Sequence, residues 1–522
     1  MMKHINHKII YASLVCLMVL SFSSCNDKLD IIPKGKNTLS SVDDLEMLFN
    51  QQYDLGLPFT DLGLICNESY GQTVNVPTAL SQKKTVLYSM ITWDESVDRA
   101  ALTLTDSRYT NAYKYINYMN TIIDKMPGAS GDENKKKALE AEAHIMRAYI
   151  HWLLVNIYAP QYDEATAAKD GGIAYVTDLN VTDVKSKETV AQVYDKILDD
   201  CSDKYINALP LHSNDVLRGD QAWGNAVRAK VLMQMKKYAD AIPYATKSLE
   251  LKPTIEDRSS VLTKLDWVLP KQATSNLVFM GGPLFTETIS PETISLFERG
   301  DFVKDYAFMN GQTSSESGGD DDDDDNSDAR MQTCAKILQK SSTRAGLQDG
   351  NPDDDYTPVN SANPSWSPLY GMMLSGVMGV DTYFSMNTYV NGYGITSDRM
   401  YYTLAECLIR TGKYTEGIDL INRVRKNRIH PSYYKDLSAA NEADAMAILQ
   451  KCKWIECIST YENFFDCKRW NTEPTYKRTI TRHITDLNGN TYSFSIAPDS
   501  KLWIFPFPQD AVRKNPTLTQ NY

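Results

Sequence analysis

The chain has 522 residues, a formal net charge of −12 at pH 7 and nine cysteines. The negative charge argues against binding to nucleic acid or to anionic lipid, because both need clustered Lys and Arg. The length exceeds one ordinary core but suits one large helical body with insertions. The seven cysteines from Cys66 to Cys467 are odd in number and widely spread, so they do not indicate a disulfide framework. No Cys-x-x-Cys occurs, so a thiolate zinc site is not supported either.

Residues 1–24 are predicted to form a secretory signal peptide. Lys3 and Lys8 precede a short apolar stretch over 9–20, and small residues stand directly before Cys25. The stretch is too short for a membrane-spanning helix, which needs about 20 apolar residues. Small residues before a cysteine are similar to the lipobox of bacterial lipoproteins, in which the cysteine becomes the acylated first residue. We therefore predict lipidation at Cys25, with residues 25–45 as an acidic tether and the start of the fold.

Helical spacing of apolar residues dominates about 110–160, 190–250 and 398–470. Segments 225–253 and 401–428 also resemble each other, because small, aliphatic and aromatic residues recur at identical offsets. The matched residues are Ala229, Leu232, Tyr238, Ala241 and Ala245 in the first segment and Ala405, Leu408, Tyr414, Gly417 and Ile421 in the second. Small residues let two helices approach closely and a tyrosine fills the turn, as in tetratricopeptide hairpins. A chance similarity of two amphipathic hairpins is the alternative.

The sequence therefore predicts a mainly α fold, with tetratricopeptide-like hairpins over 46–253 and 396–522. Residues 254–395 differ from both regions, because Gly281-Gly-Pro283, the run 314–328 and Pro364-Ser-Trp366 are turn and loop signals. Loops carried on a rigid scaffold commonly hold binding residues. We therefore expect this loop-rich insert to form part of a ligand surface.

Several motifs, in their order along the chain, resemble the SusD/RagB family of nutrient-binding lipoproteins. Leu29-Asp-Ile-Ile-Pro33 is similar to the family's opening, and Met146-Arg-Ala-Tyr149 resembles its Leu-Arg-Ala-Tyr helix. Phe465-Asp-Cys-Lys-Arg-Trp470 resembles its Phe-Asp-x-x-Arg-Trp signature, and Trp503-Ile-Phe-Pro-Phe-Pro508 resembles its closing motif. Each motif alone is weak, and their order makes the match specific.

The resemblance implies a body of four tetratricopeptide-like hairpins and a less regular half that binds ligand. It implies a lipid-anchored protein of the outer membrane that captures a glycan, performs no chemistry on it, and passes it to a SusC-like TonB-dependent transporter. The alternatives are binding of a peptide or another nutrient by the same fold, and a tetratricopeptide scaffold for protein segments. A glycoside hydrolase is a further alternative, because the geometry of its paired carboxylates is set by the fold.

A sugar has apolar C–H faces and a rim of hydroxyls, so its binding surface needs exposed aromatic rings beside polar side chains. In the early loops, Tyr70 and Trp93 are candidates, with Asn67 and Asp94 beside them. In the insert, the candidates are Tyr356, Trp366, Tyr370, Tyr383, Phe384, Tyr389 and Tyr393. Burial in the core is the alternative for every ring, and we assign Trp470 and Trp503 to packing.

The run Asp320–Asp325 raises the possibility of calcium binding, because Ca²⁺ takes several carboxylate oxygens. An EF-hand loop begun at Asp320 would need Gly where Asp325 stands and Glu where Met331 stands. A solvated acidic loop is therefore the expectation, and no cofactor is predicted. No catalytic residue is predicted either, because no His-Glu-x-x-His or Gly-x-Ser-x-Gly occurs. The histidines outside the signal peptide are His144, His151, His212, His430 and His483.

Overall fold

A computed structural model of the chain describes residues 39–50, 60–70, 80, 82–180, 182–258, 273–281, 285–303, 385–388, 391–485 and 491–522. The predicted signal peptide, Cys25 and the run Asp320–Asp325 lie outside these residues. No helix within the described ranges is long and apolar enough to cross a membrane.

Helices are the main secondary structure of the described chain. They are α1 (Val42–Glu46), α2 (Thr60–Cys66), α3 (Val86–Thr92), α4 (Arg99–Leu102), α5 (Ser107–Lys125), α6 (Glu133–Tyr158), α7 (Val190–Asp200), α8 (Asp203–Ile206), α9 (Gln221–Gln234), α10 (Tyr238–Leu251), α11 (Pro291–Ile294), α12 (Ser397–Ile409), α13 (Tyr414–Lys426), α14 (Glu442–Glu456), α15 (Glu462–Asn471) and α16 (Gln509–Lys514). The strands are β1 (Asn276–Val278), β2 (Phe285–Thr288), β3 (Ser385–Thr388), β4 (Ile395–Thr396), β5 (Ile480–Thr485) and β6 (Thr491–Ile496).

Two helices form the centre of the molecule and are buried on all sides. Residues 141–158 of α6 are all buried, and so is every residue of α12. Such helices must pair the charges they carry, because an unpaired buried charge is costly. Arg147 of α6 donates from Nε to Asp200 over 2.7 Å, and Glu142 accepts from Arg218 over 2.7 Å. The predicted mainly helical fold is therefore confirmed.

The two matched segments are helical hairpins, α9–α10 and α12–α13, and the predicted tetratricopeptide-like fold is confirmed. Ala229, Ala241 and Ala405 are fully buried. A Cβ placed on Gly417 would lie 2.8 Å from the carbonyl oxygen of Ala405, so the second hairpin needs glycine at this close approach. Helices α5 and α6 pack as a further pair, and α10 packs against α12.

The Phe-Asp-x-x-Arg-Trp signature lies on α15 and docks this helix on the second hairpin. Arg469 donates to both carboxylate oxygens of Glu406, over 2.5 and 2.9 Å, and Trp470 Nε1 donates to Glu406 over 2.9 Å. Asp466 accepts from Arg469 over 2.7 Å. Burial raises the pKa of Glu406, but Arg469 and Lys453 outweigh burial and lower that pKa to about 2. Glu406 is therefore a buried carboxylate held in its charged form.

The same helix, α15, also contacts the first hairpin. Glu462 accepts from Lys230 of α9 over 2.8 Å and from Arg399 of α12 over 3.1 Å. Lys453 of α14 lies 2.6 Å from Asp466. All five side chains are buried, so these ion pairs are shielded from solvent. Helix α15 thus meets Lys230 of the first matched hairpin and Arg399 and Glu406 of the second, with the complementary sign at each contact.

The closing motif seals the C-terminal end of α6. The amide of Phe505 donates to the carbonyl of Ile157 over 2.9 Å, and the ring of Phe507 stacks on Tyr158. Asn521 donates from Nδ2 to the carbonyl of Tyr158 over 2.8 Å. A helix end leaves carbonyls without partners, and this segment supplies donors to them. Trp503 is buried, consistent with its assignment to packing.

The described parts of the insert contain short strands that pair across its two ends. Strand β1 pairs with β4, where Asn276 faces Thr396, and β2 pairs with β3, where Phe285 faces Thr388. The two ends of the insert are therefore joined at its base. The proposed boundaries at 254 and 395 stay predictions.

Candidate functional site

Three of the four candidates from the early loops converge on one residue, Arg482 of β5. Its guanidinium carbon lies 4.2 Å from the ring centroid of Trp93 and 5.2 Å from that of Tyr70. Its Nε donates to Oδ1 of Asn67 over 2.9 Å. These residues were predicted as neighbours of a ligand, and the structure brings them together around a buried arginine that the sequence did not single out.

Arg482 joins the C-terminal ends of two helices. It donates to the carbonyl of Leu64, in the last turn of α2, and over 2.8 Å to the carbonyl of Ile91, in the last turn of α3. These carbonyls carry the negative end of each helix dipole and have no partner within the helix. Burial lowers the pKa of Arg482 to about 10, far above neutral pH, so the side chain remains a cation.

The residues that follow both helices adopt left-handed backbone conformations. Asn67 has φ +66° and Trp93 has φ +53°, which is unusual for a bulky side chain. Indole Nε1 of Trp93 donates to the carbonyl of Leu64 over 3.3 Å, and Arg482 covers its ring. These contacts hold Trp93 in a conformation that it would not adopt alone.

This arrangement places the early-loop rings in the interior. Tyr70 is 1% exposed and Trp93 is 5% exposed, and the hydroxyl of Tyr70 donates to the carbonyl of His483 over 3.1 Å. Asp94 is partly exposed, and hydrogen bonds from Ser96 lower its pKa. Of the four candidates, Asp94 alone reaches solvent to an appreciable extent. Ligand contact by the other three stays a prediction and would require these rings to be uncovered.

Glu68, beside Asn67, is a second buried charge at this junction. Its carboxylate accepts from the amide of Ser459 and from Nδ2 of Asn463, each over 2.7 Å. No Lys or Arg in the described ranges forms an ion pair with it. Burial raises the pKa of Glu68 to about 7. The early loop is therefore fixed to α15 by a carboxylate that titrates near neutral pH.

The hairpin β5–β6, which carries Arg482, alternates strictly between its two faces. The outer face carries Thr481, His483, Ser493 and Ser495, all exposed, and His483 Nδ1 lies 2.9 Å from the hydroxyl of Ser493. The inner face carries Tyr492, which is 42% exposed. Sequence reasoning missed this element, although alternating residues around Asn488-Gly489 are a hairpin signal.

The insert candidates are divided between described and undescribed residues. Tyr393 is buried, and its carbonyl accepts from the hydroxyl of Tyr149 over 2.5 Å. The remaining insert candidates lie outside the described residues, and their role stays a prediction. They are Tyr356, Trp366, Tyr370, Tyr383, Phe384 and Tyr389.

Histidines inside the body have structural partners. Nδ1 of His144 lies 2.7 Å from Asp200, a carboxylate that Arg147 also binds. His151 is fully buried, its ring stacks on Tyr175, and burial lowers its pKa to about 3. No group of three or more His, Cys, Asp or Glu side chains in the described residues could hold a metal ion. Calcium binding at Asp320–Asp325 is not tested, because that run lies outside them.

Comparison with known proteins matches two parts of the chain to related families. Residues 37–231 match a family described as "Starch-binding associating with outer membrane", and residues 288–522 match the SusD family. No curated protein sequence matches the chain.

Solved structures share the fold at low sequence identity. A SusD-like carbohydrate binding protein from Bacteroides fragilis NCTC 9343 has a TM-score of 0.57 at 13% identity, over 93% of this chain and 100% of that one. A SusD superfamily protein from Bacteroides vulgatus ATCC 8482 has a TM-score of 0.56 at 13% identity, over 93% and 100% of the two chains. A SusD superfamily protein from Bacteroides thetaiotaomicron VPI-5482 has a TM-score of 0.55 at 14% identity, over 92% of this chain and 100% of that one.

Proposed function

Because the chain belongs to the SusD/RagB family, we propose that it captures glycans at the cell surface and delivers them to a SusC-like TonB-dependent transporter. The observation that carries this proposal is the match of two family descriptions over most of the chain, one of which names starch binding at the outer membrane. The carbohydrate-binding neighbour of the same fold supports a glycan as the ligand class.

Attachment through Cys25 follows from the same proposal. A diacylated or triacylated cysteine gives stable anchoring, whereas one chain gives only marginal binding. Cys25→Ala should release the protein from the membrane fraction or leave the precursor uncleaved, as followed by fractionation and immunoblotting. Cys16→Ala, within the signal peptide, is the matched control and should leave anchoring unchanged. Mature C25A protein that still partitions with membranes would disprove the anchor.

The alternative of a tetratricopeptide scaffold for protein segments is less well supported, because α15 of the same chain contacts the first helix of each matched hairpin, α9 and α12. Lys230 of α9 and Glu406 of α12 are engaged by Glu462 and Arg469 of α15. Tetratricopeptide scaffolds use such hairpins to hold segments of other proteins, and here a segment of the same chain meets them. Binding of a peptide or another nutrient by the irregular half remains the second candidate within the fold.

Binding of purified mature protein to a panel of neutral polysaccharides and to peptides tests the ligand class. We expect affinity for at least one glycan, no affinity for the peptides, and no release of reducing ends on prolonged incubation. Reducing-end release would show that the protein is a hydrolase.

Two tryptophan substitutions then separate ligand contact from stability. Trp366→Ala should weaken glycan binding by about 1–2 kcal/mol in calorimetry and leave the unfolding midpoint unchanged. Trp93→Ala should instead cost about 3–5 kcal/mol of unfolding free energy, because the ring is buried. Unchanged affinity in W366A would remove Trp366 from the ligand surface.

A further inference from the structure

The β5–β6 hairpin carries two aromatic side chains that are not fully buried. The strand register places Arg482 opposite Phe494 and Ile484 opposite Tyr492, so these four side chains share the inner face. Both residues of β5 are fully buried, whereas Phe494 is half-buried and Tyr492 is 42% exposed. Strand β5 therefore packs against the body. The exposure of the two rings on β6 increases from Phe494 to Tyr492, towards the turn of the hairpin.

The two rings lie next to each other along β6. The ring planes of Tyr492 and Phe494 are parallel to within 5°, and their centroids are 6.3 Å apart. This separation matches the spacing of same-face residues on a strand, about 6.6–6.8 Å.

The composition of β6 favours a neutral ligand. The strand contains no charged residue, and its hydroxyl side chains, Thr491, Ser493 and Ser495, alternate with the two rings and therefore lie on the outer face. A phosphate or a charged peptide would find no counter-charge on this strand. Sugar rings offer apolar C–H faces that stack on aromatic rings, with hydroxyls around the rim.

We propose that Tyr492, supported by Phe494, is a carbohydrate-stacking platform and adds the β5–β6 hairpin to the ligand surface. This inference rests on the proposed function of glycan capture. It adds a C-terminal element to a surface that the sequence places in the early loops and the insert.

The platform is fixed to the body before ligand arrives. Arg482, opposite Phe494, is bound by the ends of α2 and α3, and the hydroxyl of Tyr70 donates to the carbonyl of His483 on β5. A rigid platform loses little conformational freedom on binding, which favours affinity. Arg482 and Tyr70 act as positioning residues, because they act through the hairpin.

Tyr492→Ala tests the proposal, with Tyr522→Ala as the matched control. Tyr522 is 39% exposed, close to the exposure of Tyr492, and lies beside Arg99 at the C-terminus. Both variants and Tyr492→Phe are compared with wild type by affinity electrophoresis in amylopectin, pullulan, xylan and mannan, and by calorimetry with oligosaccharides of the polysaccharide bound. We expect Y492A to bind about three- to tenfold more weakly, and Y522A and Y492F to bind within twofold of wild type.

The possible outcomes separate the two proposals. If wild type binds a glycan and Y492A binds it equally well, the platform is disproved and the proposed function stands. Equal losses in Y492A and Y522A also disprove the platform, because the effect is then not local. If wild type binds none of the polysaccharides, glycan capture fails and the platform fails with it. Unfolding midpoints of all variants confirm that the affinities compare folded proteins.

Discussion

The hairpins α9–α10 and α12–α13 follow one backbone plan and differ in charge at a matched position. Lys230 in the first and Glu406 in the second are both buried and both face α15. Their partners on α15 are Glu462 and Arg469, which lie about two turns apart on that helix. The repeated plan thus fixes where each side chain points, and the opposite charges fix the register and direction in which α15 docks.

Removal of the carboxylate in the second hairpin should have the largest effect. Glu406→Gln leaves Arg469 and Lys453 with Asp466 as their remaining close carboxylate, and breaking a buried ion pair costs about 3–5 kcal/mol. The measurement is the unfolding midpoint in urea at pH 7. Glu416→Gln, on the exposed side of α13, is the control and should change stability by less than about 0.5 kcal/mol.

The matched change in the first hairpin, Lys230→Met, should cost less. Glu462 keeps Arg399 as a buried partner over 3.1 Å when Lys230 is removed. If K230M proves as harmful as E406Q, the two contacts are equivalent and the second hairpin does not dominate the docking of α15.

The pH dependence of the same variants sharpens this comparison. The pKa of Glu406 is about 2 in the fold against an ordinary value of 4.5, so its stabilising effect is complete above pH 4.5 and is lost as the pH falls towards 2. The stability difference between wild type and E406Q should shrink by about 2 kcal/mol between pH 6 and pH 3. A constant difference over this range would show that Glu406 has no lowered pKa.

Helix separation is the next difference between the hairpins. The first has Ala241 where the second has Gly417, and a Cβ on Gly417 would lie 2.6 Å from Cγ1 of Ile409 and 2.8 Å from the carbonyl of Ala405. Gly417→Ala should therefore cost about 1–2 kcal/mol, measured by urea denaturation, because backbone must move to admit one methyl. Ala241→Gly makes the converse change at the matched position of the first hairpin. A stabilised G417A variant would show that the helices are further apart than described.

The turn residue should give the smallest effect. Gly412 has φ +86° with open space around its Cα, and Lys236 holds the matched position with φ +62°. Gly412→Ala should cost about 1 kcal/mol, because the left-handed conformation disfavours a Cβ. Lys236→Gly should stabilise the protein by a few tenths of a kcal/mol, because glycine adopts the left-handed conformation without penalty. The ion pair of Lys236 with Asp163 that is lost is partly exposed and contributes little. Thermal midpoints of both variants provide the check.

The hairpins could be predicted because their signals are local in sequence. The spacing of Ala229, Tyr238 and Ala241 is set by contacts within one hairpin, and so is that of Ala405, Tyr414 and Gly417. The strands at the base of the insert were not predicted, because each pairs with a partner far away in the chain. Asn276, for example, faces Thr396. Short strands of this kind depend on tertiary context more than on propensity.

The candidate site shows the same limit for individual rings. Composition and loop position led to Trp93 and Tyr70 as exposed rings, but exposure depends on what covers a ring. Here the cover is Arg482, from a strand near the other end of the sequence. Tyr492, which is exposed, lies among Thr and Ser in a strand that sequence reasoning did not assign.

The position of Arg482 also determines when the early loops can reach their final form. Its hydrogen bonds to Asn67 and Ile91 span 415 and 391 residues of chain. Contacts of such long range are expected to form slowly, because a large loop must close before they provide any stabilisation. A chain exported from its N-terminus would present the ends of α2 and α3 long before their donor emerges. A truncated chain that ends before β5 should therefore show rapid amide exchange in these helix ends.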